Sequence, residues 1–464
     1  MDKQHKQQVS ALAKQVKRFY EQRKPFKVYH GNTNSTRVLT FDRDSMVDVS
    51  QLNRVLKVDK KRKIAVVEPN VPMDKLVEAT LPHGLVPPVV MEFPGITVAG
   101  GLQGGAGESS SFKYGTFNRT LNWYDIMLAN GEVLRVSRKQ HADLFWGAAG
   151  AYGSLGVVTA AEVQLVPAKQ YVNVTYLPVT SFTEASDQLQ KLTKQSYDYI
   201  DGILYGPNNG VIIVGNLNDT PHGPVQTFTK RSDPWFYLHA EKISWAGKSR
   251  QESIPIFDYL FRYDRGAFWM GAYAFRHFRT PFNNVTRWLT DPFMHTRRMY
   301  DALQASGLSQ ECIIQDLAMP AKHAPEFLKF IDGEFGFYPL WLLPILPDRH
   351  SPLLSLNVNA KMAINVGAWA LLGKSEDQMA KLNRKLEREV QRLEGKKCLY
   401  GHCYYTEKEF WELYDKPQYD RLRAKYKAET LPDVYSKIRH KPVKVSAKRG
   451  LLHVLLGKNG IRIK

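Results

Sequence analysis

Apolar residues recur at steps of three and four in two parts of the chain, and this spacing predicts amphipathic helices. The first part is residues 9–23, with apolar positions at Val9, Leu12, Val16 and Phe19. The second is residues 379–393, which follow Ser375 and Gln378 at the spacing of a capping box. We expect the first helix to pack on the protein, with membrane contact as the alternative.

Short β-branched runs replace the helical period between residues 26 and 168. The runs at 63–69 and 124–136 are typical of strands, and Asn130-Gly131 in the second predicts a two-residue hairpin. Beyond Pro167 the pattern is mixed, with another hairpin signal at Asn209-Gly210. We therefore expect a strand-rich domain that ends near residue 168 and a second domain after it.

Composition supports a folded chain of two or three domains, because 464 residues with 43% hydrophobic content can bury sizeable cores. The net charge of +19 favours contact with phosphates, nucleic acid or an anionic membrane surface. Cys312, Cys398 and Cys403 provide neither a fully paired disulfide framework nor a structural zinc site. We expect a reducing compartment and no metal.

The membrane prediction comes from hydropathy. The N-terminal residues MDKQHKQQ lack an apolar segment, and no window reaches the length of a bilayer span. We expect a protein that is cytoplasmic or peripheral at the endoplasmic reticulum membrane, without a signal peptide or transmembrane helix.

The most informative segment is residues 94–115, PGITVAGGLQGGAGESSSFKYG, which holds seven glycines. Glycine allows positive φ and close backbone approach, so backbone N–H groups there can converge on phosphate oxygens, with Ser109–Ser111 adding hydroxyls. Strand bulges are the alternative. Ser110 breaks the Rossmann fingerprint, and Ala368 stands where the Walker motif of the GKS sequence at 373–375 needs glycine.

Two further segments have the small residues of a cofactor-binding loop. Residues 29–36, YHGNTNST, follow the predicted strand FKVYH, and residues 153–167 read GSLGVVTAAEVQLVP. An ordinary turn is the alternative for the first of these. The combination of these segments with residues 94–115 is more specific than any one of them.

These segments resemble the vanillyl-alcohol-oxidase, or PCMH-type, FAD-binding family, and within it the delta-24 sterol reductases. The resemblance spans nearly the whole chain. It rests on VDVSQLNRVLKVD, VVEPNVPM, TVAGGLQGGAGESSSFKYG, LANGEVLRVS, GSLGVVTAAEVQLVPAKQYV, FYPLWLLPI and LYGHCYYTEKEFWELYD followed by LPDVYSKI. The sequence shows no N-terminal membrane anchor, in contrast to the animal and plant members.

The resemblance implies an α+β fold: a two-part PCMH-type FAD-binding domain with an inserted α+β cap or substrate domain. The implied boundaries are 1–168 for the FAD domain, 169–400 for the cap, and 401–464 for a C-terminal segment that returns to the FAD domain. The implied cofactor-binding residues are His30, Gly31, Asn32, Asn34, Ser35, Glu92, Gly95, Thr97, Gly100, Gly101, Gly104, Gly105, Gly107, Ser109, Ser110, Tyr114, Gly115, Gly153, Gly156 and Val158. Although some family members link flavin covalently through His or Cys, the closest reductases bind it non-covalently, so we expect His30 to be a loop residue.

The implied reaction reduces an isolated side-chain double bond of a sterol or related isoprenoid, and NADPH re-reduces the flavin. Such an alkene needs a hydride on one face and a proton from a buried acid. The candidates are Tyr404, Glu108 and His402, with Tyr404 preferred and core packing as the alternative for the aromatic residues. Glu108 has two alternative roles, holding backbone N–H groups or pairing with Lys113.

Residues 338–347, YPLWLLPILP, predict a core strand or the wall of a lipid tunnel. Basic residues on the rim of such a tunnel would hold the enzyme at an anionic membrane. Two other functions stay open: a flavin-dependent alcohol oxidase or dehydrogenase of the same fold, and a non-catalytic basic protein that binds nucleic acid. We expect no specific nucleic acid partner, because no stacked-aromatic RNA-binding motif is present.

Overall fold

The computed structural model describes residues 1–31, 36–37 and 41–442. Up to residue 167 the chain alternates short strands and helices around a mostly antiparallel core. These elements are α1 Lys3–Glu21, β1 Lys27–Tyr29, β2 Met46–Asp48, β3 Val55–Asp59, β4 Ile64–Val67, α2 Met73–Thr80, β5 Leu85–Val86, α3 Val98–Gly104, α4 Ser111–Tyr114, β6 Leu121–Met127, β7 Val133–Ser137, α5 Ala142–Gly147, β8 Val157–Gln164 and β9 Val166–Pro167.

The second part of the chain alternates longer strands with helices. Its elements are β10 Tyr171–Val179, α6 Phe182–Leu192, β11 Tyr199–Gly206, β12 Asn209–Asn218, α7 Phe236–Ala246, β13 Arg250–Pro255, α8 Ile256–Leu260, α9 Met270–His277, α10 Asn284–Thr290, α11 Thr296–Ser306, β14 Cys312–Pro320, α12 Ala324–Glu334, β15 Leu340–Ile345, β16 Ala363–Leu371, α13 Glu376–Arg392, β17 Lys396–Lys397, α14 Glu407–Leu413, α15 Lys416–Lys425 and α16 Val434–Ile438. Short 3₁₀ helices lie at Leu81–His83, Phe117–Thr120, Asp291–Phe293, Leu308–Glu311 and Ala321–His323.

Two larger sheets organise these elements. A five-stranded antiparallel sheet has the order β3-β4-β8-β6-β7, and an eight-stranded antiparallel sheet has the order β13-β10-β12-β11-β15-β16-β14-β17. The pairs β1-β2, parallel, and β5-β9, antiparallel, form two small sheets. This mixture of helices and sheets agrees with the predicted α+β class, while the domain boundaries stay predictions.

The eight-stranded sheet is buried on both faces, because alternate residues of a strand point to opposite sides. On β12, Ile212 and Val214 join the cluster formed with α6, α12 and α13. Their neighbours Val211 and Ile213 join the large core that includes the first part of the chain. Helices that include α7 and α9 cover this second face, and their buried residues belong to the same core.

Both predicted helices are confirmed. Helix α1 begins earlier than the apolar pattern indicated, because the Asp2 carboxylate accepts a 2.8 Å hydrogen bond from the His5 N–H and caps the helix. Helix α13 has the capping box predicted from Ser375 and Gln378. Within the described ranges, none of the helices has the length and apolar content that a membrane crossing requires.

Both predicted hairpins exist, but their turns differ from the predictions. Strands β6 and β7 pair from Met127 and Val133, so the connection is longer than two residues and contains Gly131 at φ +85°. In the second hairpin Gly206 pairs with Asn209. Its two-residue turn is therefore Pro207-Asn208, and Asn209-Gly210 already belongs to β12 because Gly210 forms ladder pairs with both neighbouring strands.

The chain after residue 400 contacts the first part of the molecule. The Asp143 carboxylate of α5 is bonded to Lys425 Nζ and to the Tyr426 hydroxyl, each at 2.7 Å. Arg423 donates a 2.8 Å hydrogen bond to the carbonyl of Ser154. These contacts bring α15 against the loop that precedes β8.

Candidate active site

The glycine-rich segment folds into two short helices, so the alternative of strand bulges is wrong. Thr97 caps α3, because its hydroxyl accepts a 3.1 Å hydrogen bond from the Gly100 N–H. Gly105, at φ +62°, ends the helix in the left-handed conformation that glycine adopts readily. Helix α4 follows and ends at Gly115, which has φ +74°. The segment is thus a pair of helical turns joined by residues 105–110.

The glycines of this segment face different surroundings. A Cβ atom on Gly101 would lie 2.5 Å from the Met91 methyl group and 2.8 Å from the Phe117 ring, so this position is packed against the core. A Cβ on Gly104 would meet only the Tyr152 hydroxyl, at 3.9 Å. Gly104 is therefore the position with room for a ligand, and Gly101 has a packing role.

Other predicted binding positions also contact protein atoms. Added Cβ atoms on Gly105, Gly107, Gly115 and Gly156 would meet Leu354, Ile345, Arg119 and Ile126 respectively. Most of the remaining predicted positions are wholly or partly buried: Gly31, Glu92, Gly95, Thr97, Ser109, Ser110, Tyr114, Gly153 and Val158. Gly100 is exposed. Asn32, Asn34 and Ser35 lie outside the described residues. The cofactor-binding role of all these positions stays a prediction.

Cationic side chains gather around Tyr152 beside the open position at Gly104, and we call this region the cleft. Lys437 Nζ donates to the Tyr152 carbonyl, and the Arg37 guanidinium lies 5.3 Å from the Tyr152 ring centre. Gly153, the next residue, donates its N–H to Gln103 Oε1 at 2.8 Å. The cleft therefore joins the end of α3 to the loop before β8 and to the two cations.

Holding several buried positive charges close together in this cleft is unfavourable. Burial, together with the cations Arg37, Lys27 and Arg423, lowers the pKa of Lys437 to about 7. The His30 ring keeps accessible surface, yet the atoms packed around it, with the charge of Lys437, lower its pKa to about 4. Cations held this close together fit an anionic ligand, which would compensate their mutual repulsion.

A buried ionic network surrounds Glu108. Asp201 accepts hydrogen bonds from Arg262 at 2.8 Å, the Tyr263 hydroxyl at 2.7 Å and Trp341 Nε1 at 3.0 Å. Glu108 Oε1 lies 4.0 Å from Arg262, while its other oxygen accepts from the Ser109 N–H. Because Asp201 holds Arg262 more closely, Arg262 only partly offsets the burial that raises the pKa of Glu108 to about 8.

The suggested Glu108–Lys113 pair is wrong. Lys113 Nζ instead lies 3.0 Å from Asp198, because the Lys113 side chain is partly exposed and Glu108 is buried. The alternative that Glu108 binds a backbone N–H agrees with its contact to Ser109.

Two more buried carboxyl groups extend this cluster, because Glu92 feels the charges of both Glu108 and Asp316. Burial, reinforced first by the charge of Glu108, raises the pKa of Glu92 well above its usual range. Asp316 accepts hydrogen bonds from the Tyr400 hydroxyl at 2.8 Å and Asn365 at 3.0 Å. Burial outweighs these bonds and raises the pKa of Asp316 to about 6. Glu92 and Glu108 therefore tend to keep their protons, whereas Asp316 is neutral only below about pH 6.

An apolar cavity of about 470 Å³ adjoins this acidic cluster. Its walls include Phe93, which follows Glu92 in sequence, and Trp369, whose Nε1 donates a 3.1 Å hydrogen bond to the Tyr400 hydroxyl. Tyr300 also lines the cavity, and burial followed by the charges of Glu92 and Asp316 raises its pKa. In the described part of the chain, no group is hydrogen-bonded to the Tyr300 hydroxyl.

The prediction that residues 338–347 form the wall of a lipid tunnel is wrong for this cavity. Those residues form the buried strand β15, as the core-strand alternative required. The cavity is lined instead by Phe93, residues from 267 to 314, and the end of β16. Strand β15 lies between β11 and β16 in the middle of the sheet, where its side chains contribute to the core.

Tyr404 and His402 occupy a different place from Glu108. The Tyr404 ring stacks on His440 at 4.4 Å, and its N–H donates to Glu387 at 2.8 Å. The His402 ring is hydrogen-bonded to His440 at 3.1 Å and to the Ser309 carbonyl at 2.9 Å. Burial, together with the charge of His440, lowers the pKa of His402 to about 3. His402 is therefore neutral near pH 7. Neither residue lines the apolar cavity.

Comparison with known proteins shows which family the chain resembles. Residues 5–137 match the family described as FAD binding domain. Delta(24)-sterol reductase from Homo sapiens is 29% identical over 444 residues, which cover 94% of this chain and 86% of that protein. The chain is a relative of the delta(24)-sterol reductases. The predicted resemblance and the prediction of an FAD-dependent oxidoreductase are thereby confirmed.

Two other relatives show how far the likeness extends. Delta(24)-sterol reductase from Arabidopsis thaliana is 27% identical over 435 residues, which cover 84% of this chain and 76% of that protein. Cytokinin dehydrogenase 9 from Oryza sativa subsp. japonica is 32% identical over 161 residues, which cover 34% of this chain and 31% of that protein. The likeness to the sterol reductases thus includes the second part of the chain.

The cation-lined cleft fits FAD. The diphosphate of FAD carries negative charge, and the cleft supplies Arg37 and Lys437 next to Gly104, whose missing side chain leaves room. Arg37 and Lys437 were not predicted from the sequence, although Arg37 directly follows the singled-out segment 29–36 and Lys437 lies in LPDVYSKI. The sequence does not show that two segments so far apart bring these cations together.

The sequence reasoning also missed Tyr300, Asp316 and Tyr400. Tyr300 lies in the ordinary-looking helix α11, and Asp316 lies in the apolar strand β14. A charged residue within such a strand was an available signal, since a buried carboxyl group needs a partner or a function. Tyr400 belongs to the segment LYGHCYYTEKEF that was singled out, but its neighbours were preferred.

Proposed function

We propose that this protein reduces an isolated side-chain double bond of a sterol or related isoprenoid with FAD, and that NADPH re-reduces the flavin. The proposal is carried by one observation: Tyr300 in the wall of an apolar cavity of about 470 Å³ lies close enough to feel the buried carboxyl groups of Glu92 and Asp316. The relatives are sterol reductases, and apolar walls with few polar groups suit such a ligand.

The domain proposal follows the same family pattern. Residues 1–168 and the C-terminal segment 401–464 would hold FAD, and residues 169–400 would form the inserted cap that encloses the substrate. The contacts between α15 and α5 support the return of the C-terminal segment. The eight-stranded sheet, whose strands lie between residues 171 and 397, supports a separate second part.

Arg37 and Lys437 would hold the diphosphate of FAD, with Gly104 and Gly153 providing close backbone approach. FAD, when bound, supplies the hydride for the alkene. The protein's own task is to bind the apolar chain, exclude water and provide a proton. Protonation of the less substituted alkene carbon places positive charge on the more substituted carbon, where the hydride is added.

We assign the proton to Tyr300 in preference to Tyr404. Tyr300 lines the apolar cavity, keeps its proton because of burial, and has no hydrogen-bond partner for its hydroxyl among the described residues. Glu92, itself held protonated, is close enough to influence Tyr300 and is suited to return a proton to it. Asp316 assists when it is neutral, below about pH 6, because the negative charge of its ionised form opposes loss of a proton from Tyr300.

Tyr404, Glu108 and His402 stay rival candidates from the sequence. Glu108 is protonated at pH 7, but Arg262 and the Ser109 N–H surround it. His402 would have to donate from a neutral ring that already bonds to Ser309. Tyr404 keeps its proton, but lies outside the cavity lining.

Anaerobic absorbance spectroscopy of the purified holoenzyme tests the proposal. NADPH should bleach the flavin, and a sterol with a delta-24 double bond should restore its absorbance. Bleaching by a saturated alcohol without NADPH would instead support the alternative alcohol dehydrogenase. A purified protein that takes up no flavin on reconstitution would contradict both enzyme functions.

A further inference from the structure

Helix α10 and the loop before it expose an apolar face that the fold leaves uncovered. Val285, Trp288 and Leu289 follow steps of three and four, so they share one side of α10. Val285 is 67% exposed and Leu289 56%, and no residue of α10 is buried. The preceding loop adds the exposed rings of Phe278 and Phe282. We call residues 276–289 the docking surface.

The docking surface is also cationic. Residues 276–289 contain Arg276, Arg279 and Arg287 and have no Asp or Glu. Among the described residues, no carboxylate forms a salt bridge with any of these three arginines. Arg231 adds a cation next to the apolar face, where its guanidinium lies 3.8 Å from the Trp288 ring centre. Exposed aromatic and aliphatic groups interspersed with unpaired cations suit the interface of an anionic bilayer.

The same surface borders the mouth of the apolar cavity. Phe278 lines the cavity and is 49% exposed, so its ring reaches from the cavity to the surface. His277 and Thr280 of the loop, with Thr290 just beyond it, line the cavity as well. An apolar substrate that enters past Phe278 from a bilayer would avoid crossing bulk water.

We propose that residues 276–289 dock the protein on an anionic lipid bilayer with the mouth of the cavity facing the lipid. The occupant of the surface is the bilayer, because the exposed apolar side chains alternate with arginines and surround an apolar entrance. The inference rests on the proposed function only for the identity of the substrate that enters the cavity. Membrane binding itself is measured without turnover.

The test is co-sedimentation of the full chain with vesicles of phosphatidylcholine containing phosphatidylserine, and with phosphatidylcholine alone. Wild type should bind the anionic vesicles more tightly. Arg276→Gln/Arg279→Gln should weaken this binding by about five-fold for each charge removed. Val285→Ser/Leu289→Ser should weaken binding to both vesicles by about ten-fold, because interfacial binding scales with the apolar area buried.

Matched control variants test whether vesicle binding depends on the docking surface or on any exposed cation or aromatic ring. Lys60→Gln/Lys61→Gln removes two exposed cations from the turn after β3, and Trp245→Ser removes a 70% exposed ring from α7. Both controls should bind vesicles like wild type. Retained flavin content in every variant shows that the fold is intact.

Three outcomes would overturn the inference: wild type that does not sediment with anionic vesicles, docking-surface variants that bind like wild type, or controls that lose binding equally. A concentration-dependent dimer that the Val285→Ser/Leu289→Ser variant abolishes would assign the surface to a second copy instead. Vesicle binding without sterol turnover would leave this inference standing and contradict the proposed function. Turnover of sterol delivered by cyclodextrin without vesicle binding would do the reverse.

Discussion

The Tyr400 hydroxyl donates a 2.8 Å hydrogen bond to Oδ2 of Asp316. This pair lies directly behind the wall of the apolar cavity, since Trp369, which lines the cavity, donates its own hydrogen bond to the same hydroxyl. The charge of Asp316 also affects Tyr300 at the cavity wall. The protonation state of one buried carboxyl group is thereby linked to the residue that we assign as the acid.

Tyr300→Phe and Tyr404→Phe each remove one hydroxyl and keep the ring. The account predicts that Tyr300→Phe slows reoxidation of reduced flavin by the sterol by about 10²–10⁴-fold, the usual contribution of a general acid. Reduction of the flavin by NADPH should be unchanged in both variants. Stopped-flow absorbance measures the two half-reactions separately. A normal reoxidation rate in Tyr300→Phe with a slow rate in Tyr404→Phe would return the role to Tyr404.

The rate at which the sterol reoxidises the reduced flavin should change with pH as Asp316 titrates. Burial raises its pKa to about 6, so the neutral form is present below pH 6 and is lost as the pH rises through that value. The ionised form opposes proton loss from Tyr300, and the reoxidation rate should therefore fall above pH 6. Asp316→Asn stays neutral and should lack this step, whereas flavin reduction by NADPH should not show it in either protein. The same step in Asp316→Asn would assign the titration to another group.

Replacements at Gly101 and Gly104 should have different effects. Gly101→Val forces a side chain against Met91 and Phe117, so we expect a loss of about 1–3 kcal/mol in the free energy of unfolding. Gly104→Val has room in the protein and should weaken flavin binding with little change in stability. Flavin titration and thermal unfolding of the flavin-free proteins measure the two effects. Equal loss of stability in both variants would place Gly104 in the core.

The cations of the cleft should determine flavin affinity. A charge-assisted hydrogen bond contributes about 1.5–3 kcal/mol, so Lys437→Gln should weaken flavin binding by about 10- to 100-fold. Lys425→Gln on α15 is the matched control, because Lys425 pairs with Asp143 at the surface. Fluorescence titration with FAD compares the two variants. Similar affinities for both would mean that the diphosphate binds elsewhere.

The sequence predicts a helix or strand well where interactions between neighbouring residues determine it. The capping box at Ser375 specifies the start of α13 because its two hydrogen bonds involve neighbouring residues. The hairpin at Asn209-Gly210 was found, but its turn was displaced to Pro207-Asn208. Pairing with β10 and β11 draws Asn209 and Gly210 into the ladder, and that pairing is a tertiary effect that the local pattern does not contain.

The candidate site was harder to predict because its parts come from distant segments. Gly104, Arg37 and Lys437 meet in one cleft although hundreds of residues separate the last from the others. Asp316 and Tyr400 meet across 84 positions of sequence. Glycine content located the segment 94–115 and the family resemblance assigned it to FAD, but neither distinguished Gly101, which packs in the core, from Gly104, which faces open space.

One single-turnover experiment tests the central claim most directly. The holoenzyme is reduced anaerobically with NADPH, freed of nucleotide, and mixed with a sterol that has an isolated delta-24 double bond. Flavin absorbance and the extracted sterol are then measured together. The account predicts one saturated side chain for each flavin reoxidised. Flavin that stays reduced while the sterol is recovered unchanged would contradict it.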